Sequence, residues 1–168
     1  FPMLELLDRL QEERYAIPNF AGIKYSMPNF YDYLDCQAKY GKKYDIPFCS
    51  DQILICALAL GAEGSIGSTY NYSAPLTQKV MDLFQKGNVI EARDLEAQFN
   101  NLLRVIREQG SYFGIAKGLL KQKGLDLGAV RSPLRNLEEL ELSPDQALNK
   151  VNKFLQKADL SKYLCSFD

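Results

Sequence analysis

The sequence predicts an α/β chain in which three short parallel strands, each followed by a covering helix, lead into a helical extension. Three observations support this. Short stretches of strand length recur at residues 21–26, 44–49 and 64–68, the first of them an apolar run that leads into a lysine. Each is followed by a stretch of helical periodicity that stops at a glycine: Gly41, Gly61 and Gly87. Beyond Gly87 only helical patterns recur. Strands that alternate with helices at a repeat of roughly twenty-odd residues pair in parallel, because each crossover helix returns the chain to the same end of the sheet.

Taken in order, Pro2 to Arg14 places Met3, Leu6, Leu7 and Leu10 at the i, i+3, i+4, i+7 spacing of an amphipathic helix, which Pro18 prevents from continuing. The first strand, Ala21 to Ser26, carries Lys24 near its end. Pro28 suits a first helical turn, and Phe30, Tyr31, Leu34 and Ala38 line one face as far as Gly41. Tyr44 to Cys49 is the second strand. Asp51 stands where an N-cap would stand for an apolar helix over 52–60, closed by Gly61. Gly64 to Ser68 is the third strand, followed by a loop over 69–74 and a helix from Pro75 to Lys86.

The remainder is helical. Asn88 opens a long helix to Glu108, with Ala92, Leu95, Phe99, Leu102, Leu103 and Ile106 inward. A helix near 112–123 follows Gly110, and residues 125–142 read as a connection. Ser143-Pro144-Asp145-Gln146 is a capping-box start for a last helix to Lys157. Three parallel strands do not close a barrel, which takes eight in about 250 residues, so barrel material here would be the later part of one.

Composition narrows the chemistry. The chain has 168 residues, a net charge of -1, 46% hydrophobic and 24% charged residues, an ordinary globular balance. The near-neutral charge, with both signs interspersed, argues against a nucleic-acid partner. No apolar run approaches the ~20 residues of a membrane span and no signal-peptide pattern opens the chain, so a cytoplasmic location is expected. The start at Phe1 rather than methionine suggests processing or a piece of something longer. Cys36, Cys49, Cys56 and Cys165 form no C-x-x-C pair and fit free thiols in a reducing compartment. There are no histidines. That removes Ser-His-Asp and Cys-His catalysis from this chain and argues against zinc. Neither a metal nor a cofactor is expected.

Ligand groups in parallel α/β folds gather at the C-terminal ends of the strands. Here those ends carry Lys24 and Ser26, then Cys49, Ser50, Asp51 and Gln52, then Gly67, Ser68, Thr69, Tyr70 and Asn71. Each has an ordinary alternative. A lysine commonly lays its methylenes on apolar neighbours with its ammonium in water. Otherwise, desolvation lowers its pKa until the amine attacks a carbonyl. Asp51 can be only a cap, and Gln52 only solvated. Gly61, Gly64 and Gly67 precede and build a strand rather than follow one into a helix, so they do not form a dinucleotide loop. Gly67 and Ser68 keep the strand end small enough for a ligand to approach.

The stretches Gly22-Ile23-Lys24-Tyr25-Ser26, Asp51-Gln52 and Gly64-Ser65-Ile66-Gly67-Ser68-Thr69-Tyr70-Asn71 resemble those of the N-acetylneuraminate lyase branch of the Schiff-base lyase family that includes dihydrodipicolinate synthase. The similarity runs through most of the chain, including Gly110-Ser111-Tyr112-Phe113-Gly114 and Arg131-Ser132-Pro133-Leu134. The resemblance implies the C-terminal portion of a (β/α)8 TIM barrel, its last three strands and their helices over 1–87, and a helical C-terminal extension over 88–168. It implies a homotetramer in the full-length protein and small-molecule substrates, N-acetylneuraminate and pyruvate.

By the same resemblance Lys24 is the Schiff-base nucleophile, and Ser26, Asp51, Gln52 and Ser68 bind the hydroxyl-rich tail of the sugar, with Cys49 contributing through its backbone. Two positions depart from the family pattern. Cys49 replaces a glycine, and Gln52 replaces a glutamate, which keeps hydrogen bonding but removes a charge. The family's proton-relaying tyrosine and carboxylate-holding Ser/Thr pair belong to earlier strands that have no counterpart here. The alternatives are a related pyruvate-dependent lyase acting on another aldehyde, or a non-catalytic fragment or interaction module.

Overall fold

A computed structural model describes residues 2–167, with only the backbone for Arg14. The terminal Phe1 and Asp168 lie outside the described residues. The chain divides into two compact units, one ending at Ser68 and one beginning at Thr69.

The first unit is held together by three parallel extended segments. Asp45 donates its amide to the Ala21 carbonyl at 2.9 Å, Ile23 to Asp45 at 3.0 Å, Tyr25 to Pro47 at 3.0 Å and Cys49 to Tyr25 at 2.7 Å. On its other side the middle segment pairs through Phe48, whose amide donates to Gly64 at 3.3 Å and whose carbonyl accepts from Ile66 at 2.9 Å. Alternate residues of 45–49 thus serve alternate neighbours, as in a parallel ladder. The strands predicted over 21–26, 44–49 and 64–68 are nonetheless not continuous. Among the described residues they are isolated parallel bridges, Gly22–Asp45, Tyr25–Phe48 and Phe48–Ser65. For the first pair the cause is Pro47, which has no N–H to donate to Ile23 and removes the rung between the two bridges. The approach of these segments is close. A Cβ on Gly22 would lie 1.8 Å from the Asp45 carbonyl oxygen, so only glycine fits there.

Helix α1, Met3–Arg9, packs on α2, Phe30–Tyr40. The predicted continuation of α1 to residue 14 fails because the Gln11 side-chain amide donates to the Leu7 carbonyl at 2.7 Å, and a separate 3₁₀ turn forms at Glu13–Tyr15. Helix α2 begins at Asn29, whose side chain accepts from the Asp32 amide, and ends at Gly41. The core between helices and segments holds Leu7, Tyr25, Tyr33, Cys36, Tyr40, Ile46 and Phe48. Its aromatic rings interlock, with Tyr33 at 4.9 Å from Tyr25 and 5.0 Å from Phe48, centroid to centroid. Helix α3 is shorter than predicted, Leu54–Ala59, and its N-cap is Ile53 rather than Asp51.

The second unit is helical: α4 (Tyr70–Gln85), α5 (Val89–Glu108), α6 (Tyr112–Gln122) and α7 (Pro144–Lys157). Helix α4 starts earlier than predicted but bends at Ser73 (φ -130°, ψ 25°), two residues before Pro75. The regular helix therefore does begin near the proline. By packing, α4 groups with α5 rather than with the extended segments that precede it in the chain. Helix α5 buries Ala92, Phe99, Leu102, Leu103 and Ile106 as its periodicity predicts, but Leu95 is only half-buried and the neighbouring Glu96 is buried. Ser143 and Gln146 form the expected capping box of α7. No described helix is long and apolar enough to cross a membrane.

Candidate active site

The three extended segments run in register in one direction, so their C-terminal ends lie at one edge of the first unit. All six residues singled out in the sequence belong to this unit. Lys24 and Ser26 flank Tyr25 at the end of the first segment, and both are exposed. Cys49, Asp51 and Gln52 follow the second segment and are half-buried, with Asp51 and Gln52 in a turn. Ser68 follows the third and is exposed.

Tyr25 explains how the lysine segment is held. It is 1% exposed, and its ring packs against Tyr33 and Phe48. Its hydroxyl donates toward the Asn29 carbonyl at 2.8 Å and the Asp32 carboxylate at 2.9 Å. Burial, then the neighbouring Asp32 charge, pushes the Tyr25 phenol above its ordinary range, so it stays a neutral donor. Successive residues of an extended segment face opposite sides, so Lys24 points away from this core.

The other site residues are set by backbone approach. The Cys49 amide is committed to the Tyr25 carbonyl, which leaves its own carbonyl as the backbone group available to a ligand. The Asp51 carboxylate rests against Gly67, where a Cβ would lie 2.1 Å from Asp51 Oδ1. The Asp51 carboxylate therefore occupies the space that a side chain at Gly67 would take, while the N-cap position of α3 belongs to Ile53. Sequence reasoning missed Asp32, whose carboxylate joins the lysine segment, α2 and the start of α1. The signal it carried was an acidic residue in a first helical turn, which usually marks only a favourable helix dipole. Among the described residues no group of three or more His, Cys, Asp or Glu is placed to hold a metal ion.

The segment ends carry a primary amine, the type of group that adds to a carbonyl, together with a carboxylate, an amide and hydroxyls of the type that hydrogen-bond a polar substrate; Lys24 itself is exposed rather than desolvated.

Comparison with known proteins gives this geometry a family. Residues 4–156 match the sequence model of the dihydrodipicolinate synthetase family. N-acetylneuraminate lyase A of Xenopus laevis is 33% identical over 135 residues, which are 80% of this chain and 43% of that protein. The N-acetylneuraminate lyase of Danio rerio is 31% identical over 156 residues, 91% of this chain and 50% of its own length. Among solved structures, Proteus mirabilis N-acetylneuraminate lyase superposes with a TM-score of 0.79 at 32% identity, covering 95% of this chain and 51% of that one. The chain therefore spans about half the length of the curated relatives it matches. With the family pattern extending across most of its length, the chain belongs to the dihydrodipicolinate synthetase family.

Proposed function

We propose that this chain contributes the nucleophilic half of a class I, Schiff-base carbon–carbon lyase that cleaves N-acetylneuraminate to N-acetylmannosamine and pyruvate. The observation that carries the reading is Lys24, exposed at the end of the first of three parallel segments, in a chain similar to N-acetylneuraminate lyases. In this reading residues 1–87 supply the last three strand-and-helix units of a (β/α)8 barrel, and residues 88–168 form its helical extension. The assembled protein is a cytoplasmic homotetramer.

The Lys24 amine adds to the keto carbon of open-chain N-acetylneuraminate, and loss of water leaves an iminium. The iminium accepts the electron pair of the neighbouring carbon–carbon bond as that bond breaks, which a neutral ketone does far less readily. N-acetylmannosamine leaves, the resulting enamine takes up a proton, and hydrolysis releases pyruvate and the free amine. Ser26, Asp51, Gln52 and Ser68 hold the polyol tail, and the Cys49 carbonyl accepts from it. Residues from the rest of the barrel move the protons and hold the substrate carboxylate.

The test is borohydride reduction of the native protein in the presence of pyruvate, read by peptide mass. A reduced adduct on Lys24 is expected, and an unmodified Lys24 with the adduct on another lysine overturns the assignment. A second reading has its own support. Gln52 offers a neutral amide where the family resemblance implies glutamate, which favours a related lyase using pyruvate with another aldehyde. Comparing cleavage rates for N-acetylneuraminate and for other 2-keto sugar acids separates the two.

A further inference from the structure

The rung missing at Pro47 lies at the peptide bond that leads into Lys24. Among the described residues no amide donates to the Ile23 carbonyl, since the residue opposite it is proline. The ladder therefore holds the chain before Lys24 through the Ile23 amide and after it through Tyr25, but not at the intervening peptide. Besides the ladder, the segment is tied down next to Lys24 by the Tyr25 side chain. Its hydroxyl reaches Asp32 Oδ2 at 2.9 Å. Asp32 is itself tied down, because Oδ2 accepts from the Met3 amide at 3.0 Å and Oδ1 from the Leu4 amide at 3.2 Å. Its own amide donates to Asn29 Oδ1 at 3.3 Å. One carboxylate thus anchors the lysine segment to two helices.

We propose that Tyr25 and Asp32 are positioning residues for Schiff-base formation, their hydrogen bond fixing the direction in which Lys24 presents its amine. The inference rests on the reading of Lys24 as the nucleophile. The physical basis is that a displacement of about 1 Å in a reacting group can cost up to ~100-fold in rate. Tyr25 is buried on the core side of the segment and Lys24 is exposed on the other, so a held Tyr25 hydroxyl limits rotation of the segment about its own axis and with it the direction of Lys24.

Tyr25→Phe in the native protein keeps the ring against Tyr33 and Phe48 and removes only the hydroxyl. The readout is the rate of borohydride-trapped pyruvate adduct on Lys24 as a function of pyruvate concentration, beside thermal unfolding. The expected result is a loss of about tenfold in the rate at saturating pyruvate, with the half-saturating concentration unchanged and the protein folded. Asp32→Ser, which keeps the phenol and removes the carboxylate, gives a comparable loss and serves where Tyr25→Phe does not fold. A folded variant of either kind that traps pyruvate at the wild-type rate overturns the positioning role while leaving Lys24 as the nucleophile. Wild-type trapping on a different lysine overturns the nucleophile itself, and the two failures are thereby told apart.

Discussion

The Asp51 carboxylate and the Gly67 backbone are in contact so close that a methyl on Gly67 would lie 2.1 Å from Oδ1 and 2.4 Å from Cγ. The absence of a side chain at Gly67 is what lets an acidic group sit against the end of the third segment.

Gly67→Ala is therefore expected to push Asp51 off its position without touching the lysine segment. If Asp51 holds sugar hydroxyls, the KM for N-acetylneuraminate rises about tenfold, in line with the loss of a charged hydrogen bond of roughly 1.5 kcal/mol. Pyruvate trapping on Lys24, which involves no polyol tail, stays near the wild-type rate. Assaying both on one preparation checks this, and an equal loss in the two assays means that the sheet, rather than Asp51, has moved.

Pro47→Ala supplies the missing N–H opposite Ile23. The new hydrogen bond contributes about 1 kcal/mol, and the greater freedom of the unfolded chain costs about 0.4–1 kcal/mol. Stability is expected to change by less than about 1 kcal/mol for that reason. The informative measurement is hydrogen exchange. The alanine amide should be protected to the level of the Asp45 and Cys49 amides, and exchange at the rate of an open loop would show that the segments diverge at this point.

Helix ends and long periodicities were legible wherever a local signal suffices: Gly41 after α2, the periodicity of α5, and the Ser143 capping box are all contained within a few consecutive residues. The inward face of α2 was not: Tyr31, Leu34 and Ala38 of the expected face are exposed, and Tyr33, Cys36 and Tyr40 are buried instead. Strand positions and their parallel order were legible from alternation with helices. Their continuity was not, because the effect of Pro47 depends on which carbonyl lies opposite it. Side chains that compete for backbone groups account for other differences, as with Gln11 at the end of α1. Within the candidate site, the residue types at strand ends could be read directly. The bonds of Asp32 to Met3 and Leu4 span 29 and 28 residues, and no local pattern encodes them.

Cys36 offers a test of the core that holds the lysine segment. It is buried, and burial, followed by the charges of Asp32, Asp35 and Asp8, pushes its thiol from an ordinary 9.0 up to about 12. A group whose pKa is higher when folded favours the folded state at low pH, where it is protonated in both states. As pH rises past 9.0, the unfolded chain releases the proton while the folded one keeps it, so the thiol's contribution is lost progressively between pH 9.0 and about 12. Tyr25, raised from 10.0 mainly by burial, acts in the same direction at higher pH. The urea midpoint should consequently fall between about pH 8 and about pH 10.5, and Cys36→Ala should flatten that fall. The same geometry orders thiol reactivity. At about pH 8, iodoacetamide should alkylate the exposed Cys56 well before Cys36, which reacts only as the first unit unfolds. Equal labelling rates at the two positions would mean that the Tyr25, Tyr33 and Phe48 core opens readily, and a core that opens readily could not hold Lys24 in one direction.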